Sequence, residues 1–214
     1  MIFPIIRIIL SVIIGFLIYI IINFCFHRKR DRKLIVSCVF STIIIYVILC
    51  FFPFENLFYS FPTPQAAFEY QTDGGDIIDV IEGNESAVII YSKENNTSFY
   101  VTKKSDSGWK LGSMILGIPV KFGDVNLESS KDFSMILCKA PNTTESILII
   151  DEYTYPTLHS NTVITDSQGT TFEQLPILRE GDKLSNTIFH YAVVQSNDPN
   201  YEVIINGERV KIEI

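Results

Sequence analysis

The sequence predicts a two-helix transmembrane hairpin followed by a mainly β (α+β) extracytoplasmic domain, with one short N-terminal helix and antiparallel meander or sandwich strands. Three observations predict this fold class. Residues 8–26 and 34–52 are apolar runs without a charged side chain, and a short basic segment separates them. Beyond them, runs of β-branched and aromatic residues alternate with turn-forming residues, which is typical of antiparallel strands.

Residues 1–52 are predicted to form the transmembrane hairpin, with helices over about 8–26 and 34–52. Each run is just long enough to cross ~30 Å of hydrocarbon at about 1.5 Å per helical residue. A helix satisfies its own backbone hydrogen bonds in lipid, so the high β-branched content does not argue against it. The turn at 27–33 is short, so we expect the two helices to be antiparallel.

Five cationic residues in the predicted turn determine the expected topology. Short loops rich in Lys and Arg stay on the cytoplasmic side of a membrane. The N-terminal end carries only Arg7 and the α-amino group. We therefore expect a cytoplasmic turn, both termini outside, and a multi-pass location in the cell membrane, with the lipid bilayer as a partner. The topology-determining residues are Arg28, Lys29, Arg30, Arg32 and Lys33.

Residues 53–63 are predicted to be an interfacial linker between the hairpin and the domain. Segment 51–61 contains six aromatic side chains, which is typical of the aromatic belt at a membrane surface. Pro53 gives the second helix a clean end. Arg7 is expected to extend its long side chain toward the outer headgroups.

Two processing alternatives were weighed against retention of both helices. The first is lipid modification of Cys38, because residues 35–38 read IVSC, but no apolar region separates this cysteine from the basic run. The second is cleavage after the second helix, but no small-x-small cleavage site follows Phe52. Retention of both helices is therefore expected.

The acidic β-rich domain, residues 64–214, begins with the one helix expected beyond the membrane. Pro64 suits the first helical position, Thr63 suits the N-cap, and Gly74 and Gly75 end the helix after about two turns. Seven strands are expected after it, over 77–81, 86–92, 97–103, 133–138, 146–151, 187–194 and 201–205.

The clearest local signal is Asn206-Gly207, which predicts a two-residue hairpin turn of type I′. The register that follows sets Val203 opposite Val210, Tyr201 opposite Ile212 and Glu202 opposite Lys211. Apolar pairs then share one face of the hairpin and an ion pair occupies the other, as a half-buried hairpin requires.

The β-rich region can be read as one continuous domain or as two modules. Apolar content drops near 123–132, between a helix with a meander at 64–122 and a second group of strands at 133–214. Both arrangements stay open at this point, because neither half contains a repeat that would fix a boundary.

Charge and cysteine content exclude several classes of function for the β-rich domain. Six of the 17 basic residues and one of the 24 acidic residues precede residue 53, which leaves 11 basic and 23 acidic residues, a net charge of −12. A surface this acidic repels phosphate backbones, so nucleic acid is not an expected partner. Only Cys138 lies beyond the apolar runs, which excludes a disulfide framework and a cysteine-based zinc cluster.

Several segments carry a family resemblance: 64-PQAAFEY-70, 77-IIDVIEGNESAVIIYSK-93, 108-GWKLG-112, 166-DSQGTTFE-173 and 201-YEVIINGERVKI-212. Through them the chain resembles a group of uncharacterised extracytoplasmic, membrane-anchored proteins and lipoproteins of Gram-positive bacteria. The likeness covers most of residues 62–214 and rests on turn and core residues. That group has no assigned activity, so the resemblance implies a bacterial envelope location and a non-catalytic role.

Two short patterns invite a catalytic or metal-binding interpretation. Ser107 and Lys110 match the Ser-x-x-Lys pattern of penicillin-binding proteins, but they are expected on a turn and a strand start, and the companion Lys-Thr-Gly motif is absent. Asp73, Asp76 and Asp79 recur every three residues, but the alternate-position ligands of a calcium loop are missing. The Ser-x-x-Lys match is expected by chance. The three aspartates are expected on a glycine turn and on the solvent-facing side of the strand that follows it.

Two histidines are the candidates for a spatially assembled active site. His190 is expected on the same face of its strand as Ile188 and Ala192, and His159 lies outside the predicted strands. No serine or cysteine nearby in sequence suggests a dyad with His190. No catalytic, cofactor-binding or metal-ligating residue is therefore predicted.

These observations favour a membrane-anchored, non-catalytic binding or interaction protein of the bacterial cell envelope. Its expected partners are the lipid bilayer and another envelope protein or cell-wall component. Two alternatives remain open: an envelope hydrolase with a spatially assembled active site, and an accessory subunit of a transporter or sensor that acts through its helical hairpin.

Overall fold

The computed structural model describes residues 3–26, 32–51, 53–94, 96–112, 120–126, 132–154, 161–177, 186–195 and 198–212. Four helical segments come first: α1 (Phe3–Phe26), α2 (Arg32–Phe51), a 3-10 helix (Phe54–Leu57) and α3 (Pro64–Gln71). The strands are β1 (Asp76–Glu82), β2 (Ser86–Lys93), β3 (Asn96–Ser105), β4 (Gly108–Lys110), β5 (Val120–Asn126), β6 (Asp132–Cys138), β7 (Glu145–Thr154), β8 (Ile164–Asp166), β9 (Glu173–Ile177), β10 (Asn186–Gln195), β11 (Glu202–Ile205) and β12 (Glu208–Lys211).

The N-terminal region contains one apolar helix of membrane-spanning length, which confirms that part of the prediction. Ile5–Phe24 of α1 is long and apolar enough to cross a membrane. The apolar segment of α2 is shorter, Ile35–Leu49, and covers only about 22 Å at about 1.5 Å per residue. Length and composition alone therefore support a span for α1 and a shorter apolar helix for α2.

Small and hydroxyl-bearing side chains lie where α1 contacts α2. Ser11 and Gly15 are buried and lie one turn apart on α1. A methyl group at Gly15 would overlap Oγ1 of Thr42 on α2, and that hydroxyl donates to the carbonyl oxygen of Cys38 at 2.9 Å. Small residues at the contact let two apolar helices approach closely, as in many membrane proteins.

The strands form three antiparallel sheets within the described residues. The first sheet has the order β1-β2-β3-β4, the central sheet β5-β6-β7-β10-β9, and the third sheet β12-β11-β8. The mainly β, antiparallel prediction is thus confirmed. The path is less simple than a meander, because the chain visits the third sheet for β8 and returns to the central sheet for β9 and β10 before it ends in the third.

The first and central sheets pack face to face around one apolar core. The first sheet contributes Ile81, Val88, Ile90 and Val101, and the central sheet contributes Ile136, Cys138, Ile147, Ile149 and Phe189, with Ala140 beside them. The rings of Phe99 and Phe189 lie 5.8 Å apart across this interface. Side chains from both sides of segment 123–132 therefore share this core.

The opposite face of the central sheet packs against the third sheet. Its contributions are Phe133, Met135, Leu137, Leu148, Ile150, Ala192 and Val194, which meet Tyr201, Val203, Ile205 and Ile212. Four consecutive residues of β7, Ile147 to Ile150, have no exposed surface. Burial of one such side chain stabilises the fold by roughly 1.5–3 kcal/mol. Because its residues contribute to both cores, β7 is the centre of the domain.

Helix α3 forms an outer layer on the first sheet. Thr63 is its N-cap and accepts from the N–H of Ala66 at 3.1 Å, with Pro64 in the first turn, as predicted. Phe68 is 1% exposed and packs its ring 4.7 Å from that of Tyr91 and 5.5 Å from that of Tyr100. The helix thus covers aromatic side chains that would otherwise face solvent.

All seven predicted strands are present, as is the second strand of the predicted C-terminal hairpin, β12, and sequence patterns missed four others. The missed strands are β4, β5, β8 and β9. Two of them, β4 and β8, have only three residues each, too few to show an alternating pattern. Strand β5 lies where a drop in apolar content suggested a break, and β9 contains Pro176, which weakens a strand signal.

The C-terminal hairpin confirms the predicted turn and register. Asn206 and Gly207 have φ of 52° and 93°, and Val203 pairs with Val210, and Glu202 with Lys211. The expected ion pair is wrong in detail, because the carboxylate of Glu202 contacts Arg209 at 3.1 Å instead. A long arginine side chain can reach a carboxylate diagonally across two strands.

A buried carboxylate joins the first sheet to the central sheet. Glu145, at the start of β7, is 1% exposed. Its Oε1 accepts from the backbone N–H of Glu85 at 2.6 Å and of Ser86 at 2.7 Å, and its Oε2 accepts from Asn84 at 3.0 Å. Glu85 reaches back and accepts from the N–H of Thr144 at 2.6 Å. The β1–β2 turn and the start of β7 are therefore held together reciprocally.

We expect Glu145→Gln to lower the free energy of unfolding by about 1–3 kcal/mol, because an amide N–H2 would face a buried N–H that has lost its acceptor. Urea unfolding of the full chain in detergent micelles measures this through Trp109, the single tryptophan. The control is Glu82→Gln, whose side chain is exposed, with a change within about 0.5 kcal/mol. Equal stability of the two variants would contradict the role assigned to Glu145.

Candidate functional site

A cleft lies where the segment after α2 meets the open end of the interface between the first and central sheets. It has a volume of about 280 Å³. Its lining, which defines the junction cleft, is Pro53, Asn56, Val101, Lys103, Lys110, Leu111, Gly112, Ala140, Pro141 and Asn142. The segment after α2, the edge of the first sheet and the turn after β6 thus meet at one place.

The β3–β4 hairpin brings two lysines to the same face of the first sheet. Lys103 on β3 is directly opposite Lys110 on β4, and residues in register share a face. Val101, two residues before Lys103, belongs to the core between the sheets, so both lysines lie where that interface opens. Lys104 lies on the other face, with its Nζ 5.5 Å from the centre of the Trp109 ring.

Both ammonium groups in the cleft donate to backbone carbonyls. Nζ of Lys103 donates to the carbonyl oxygens of Pro141 at 3.2 Å and Asn142 at 3.0 Å. Nζ of Lys110 donates to those of Asn56 at 2.9 Å and Tyr59 at 3.0 Å. The two lysines therefore each connect the first sheet to a different neighbouring segment.

No full negative charge balances these two lysines within the described part of the chain. Neither one forms an ion pair with a described carboxylate, and the residues that line the cleft include no Asp or Glu. The chain as a whole has 24 acidic residues against 17 basic ones. Two lysines without a carboxylate partner give this cleft a local positive potential, which favours the binding of an anion.

Side-chain to backbone hydrogen bonds hold the wall of the cleft that is formed by Asn56, Leu111 and Gly112. Asn56 accepts from the N–H of Leu111 at 2.7 Å and donates to its carbonyl oxygen at 3.0 Å. Gln71 donates to the carbonyl of Gly112 at 2.9 Å and accepts from the Tyr100 hydroxyl at 2.6 Å. Burial raises the pKa of Tyr100 above its usual value, and the hydrogen bond from the N–H of Gly112 acts in the opposite direction.

A bidentate ion pair ties the start of α1 to the segment after α2. Arg7 is 1% exposed and Glu55 is 8% exposed. Nε and Nη2 of Arg7 donate to the two oxygens of Glu55 at 3.0 Å and 2.9 Å, and Nη1 donates to the carbonyl oxygen of Leu49. The expectation that Arg7 extends toward headgroups is wrong, because a carboxylate brought close by the hairpin satisfies the guanidinium inside the protein.

The Ser-x-x-Lys pattern does not form a catalytic pair. The hydroxyl of Ser107 lies 2.7 Å from that of Ser60 and 3.3 Å from that of Ser105. Lys110 directs its ammonium group to the carbonyls of Asn56 and Tyr59. The two side chains therefore serve separate contacts, as expected for a turn and a strand.

His190 pairs with a carboxylate, but inside the domain. Its Nε2 lies 2.7 Å from Oε2 of Glu152, whose Oε1 accepts from the hydroxyl of Thr162 at 2.8 Å. His190 and Glu152 are 1% and 0% exposed, and the histidine lies on the predicted face with Ala192. The carboxylate lies between the hydroxyl and the imidazole, whereas a nucleophile must contact the imidazole itself.

The remaining candidates form no further site. Among the described residues, no three His, Cys, Asp or Glu side chains are grouped closely enough to hold a metal ion. Burial raises the pKa of the Cys138 thiol to about 12, so it stays protonated at neutral pH and is a poor nucleophile.

Several predicted positions lie outside the described residues. They are His159 and three of the topology-determining residues, Arg28, Lys29 and Arg30. The other two, Arg32 and Lys33, belong to the first turn of α2.

No protein-family model, curated protein or solved structure matches this chain. Functional conclusions therefore follow from the geometry of the described residues. The resemblance to Gram-positive envelope proteins stays an expectation.

The cleft was not predicted, although part of its signal is present in the sequence. Lys103 and Lys110 flank the turn 105-SDSG-108, and a hairpin centred on that turn places them opposite each other. Glu55 is the first acidic residue after the second apolar run, and Arg7 is the only charge before the basic turn. An isolated charge beside an apolar helix needs a partner, which could have suggested that pair.

We expect His190→Ala to cost at least about 1–3 kcal/mol of unfolding free energy, because the buried Glu152 carboxylate loses a hydrogen-bond partner. Adding Glu152→Gln should recover part of this loss, since the buried charge disappears as well. Gln174→Ala is the control: this residue is exposed and lies opposite His190 on β9. Denaturation followed by Trp109 fluorescence measures all three. A double variant no more stable than His190→Ala would contradict this account.

Proposed function

We propose that the protein is a membrane-anchored, non-catalytic binding protein on the outer face of a bacterial cell membrane. In this proposal α1 and α2 both cross the bilayer, with a cytoplasmic turn and both termini outside. The β domain presents the junction cleft at the membrane surface to a ligand or to another envelope component.

The observation that carries the proposal is the bidentate ion pair between Arg7 and Glu55. It joins the outer end of α1 to the segment that begins the domain, so the start of α1 and the end of α2 lie together. That arrangement suits an antiparallel hairpin with both ends on one side of the bilayer. The contacts of Asn56 with Leu111 then extend this rigid connection into the first sheet.

Exposed apolar side chains next to the cleft support a position at the membrane surface. Leu57, Phe58 and Tyr59 are 78%, 83% and 56% exposed. They lie at and just after the end of the 3-10 helix that follows α2, and aromatic side chains close to the end of a membrane span commonly sit among lipid headgroups. A domain held in this way keeps the cleft within reach of the bilayer.

Binding rather than catalysis is supported by what the polar groups contact. The cleft lysines donate to backbone carbonyls, and the His190–Glu152 pair lies in the core between the central and third sheets. Neither arrangement places a nucleophile beside a base that a substrate could reach.

Cysteine labelling tests the two-span topology. Asp106→Cys, in the exposed β3–β4 turn, should react with a membrane-impermeant maleimide in intact cells. Arg30→Cys should react only after permeabilisation, because short basic loops stay in the cytoplasm. The parent chain controls for labelling of its own cysteines. Labelling of Arg30→Cys in intact cells would contradict the two-span hairpin and leave a single span.

Hydrogen exchange tests the connection between the helices and the domain. Glu55→Ala leaves the Arg7 guanidinium without its carboxylate, so amides of residues 53–63 should exchange at least about tenfold faster in micelles. Glu69→Ala, which changes an exposed carboxylate on α3, should not alter them. Unchanged exchange in Glu55→Ala would show that the ion pair does not hold this segment.

A further inference from the structure

We infer that the junction cleft binds a phosphate group between the ammonium groups of Lys103 and Lys110. The phosphate belongs either to a small soluble ester or to the headgroup of a membrane lipid. This inference rests on the proposed function, because it names the ligand class of the same site.

The two lysines repel each other electrostatically, and a bound anion would relieve that repulsion. Like charges directly opposite each other on neighbouring strands destabilise a sheet, and Lys103 and Lys110 are in register. The carbonyl oxygens that they contact carry only partial negative charges. An anion between the two ammonium groups would convert this repulsion into two charge-assisted hydrogen bonds.

Each lysine ammonium group also has an N–H donor left for a ligand. An ammonium group has three N–H donors and no acceptor. Each lysine donates to two carbonyl oxygens, so each retains one donor. A phosphate group has enough acceptor oxygens to receive both, and lysine is a common phosphate ligand as a point charge.

The size and lining of the cleft suit a small organic phosphate. Its volume of about 280 Å³ is many times the ~10–15 Å³ of probe-occupied volume that a single water molecule needs. Pro53, Val101, Leu111, Ala140 and Pro141 make most of the wall apolar. A phosphate ester with a small uncharged organic group, such as glycerol phosphate, matches both the charge and the remaining apolar wall.

The location makes two sources of the phosphate accessible. Pro53 and Asn56 line the cleft and follow α2 directly, and the exposed Phe58 lies beside them. A lipid headgroup can therefore enter from the bilayer, and a free ester can enter from the aqueous side.

Two binding experiments on the full chain distinguish these sources. In uncharged detergent micelles, glycerol 3-phosphate is titrated by calorimetry. In a second experiment, the protein is placed in nanodiscs of phosphatidylcholine, either with or without phosphatidylglycerol. The bulk lipid is then removed, and mass spectrometry measures how much phosphatidylglycerol stays bound to the protein. Binding of the free ester assigns a soluble source, and retention of phosphatidylglycerol alone assigns the headgroup. Absence of both overturns the inference.

Glutamine substitutions assign the binding to the cleft. Lys103→Gln and Lys110→Gln keep a donor for the carbonyls but lose the charge, so each should weaken binding at least about tenfold. Lys104→Gln removes the same charge one residue away, on the opposite face, and should leave affinity unchanged within about twofold. An equal loss in all three variants would reduce the effect to general surface charge and overturn the inference.

Asn142→Asp keeps the inference testable if a lysine variant does not fold. Asn142 is exposed on the cleft rim and has a φ of 58°, which aspartate tolerates. The added carboxylate should weaken phosphate binding several-fold while both lysines remain. Unchanged affinity would contradict a site at this rim. Phosphate binding is measured in micelles, whereas the topology is measured in cells. A negative result for phosphate binding therefore does not contradict the two-span topology, and a negative result for the topology does not contradict phosphate binding.

Discussion

The structure of the β domain depends on burial of the central sheet on both faces. Ile147 to Ile150 of β7 have no exposed surface, with alternate side chains packed on the first and third sheets. A strand that is buried on both sides has no solvent-exposed face for polar side chains, so these side chains lie at its two ends. This constraint explains why Glu145 and Glu152 flank the apolar run of β7, and why each is surrounded by hydrogen-bond donors.

The two ends of β7 then serve different purposes. At the first end, Glu145 holds the β1–β2 turn and fixes how the first sheet lies on the central sheet. At the other end, Glu152 meets His190 and Thr162, which join β7 to β10 and to the segment that leads into β8. Desolvated carboxylates of this kind specify one arrangement of layers, because any slip would leave a charge without a partner.

Local sequence signals predicted the elements whose partners are close in the chain. Asn206-Gly207 fixed a hairpin within a few residues, and Thr63 with Pro64 fixed the start of α3, so both were foreseen. Contacts across long separations were not: Arg7 meets Glu55 48 residues later, and the chain crosses between sheets around β8. The isolated charge of Arg7 beside an apolar run indicates that a partner is needed, but no local pattern marks the crossing between sheets at β8. The cleft lysines are an intermediate case, since their register follows from one turn, but the walls around them come from distant segments.

The cleft owes its shape to contacts that exist without a ligand. Asn56 is held by both backbone groups of Leu111, the neighbouring Glu55 by Arg7, and the turn after β6 by Lys103. Each wall is therefore fixed by its own interactions, and a ligand need not order the site as it enters. Preorganisation of this kind reduces the entropic cost of binding. The helical pair and the cleft are also connected directly, because the same short segment after α2 contacts α1 and lines the cleft.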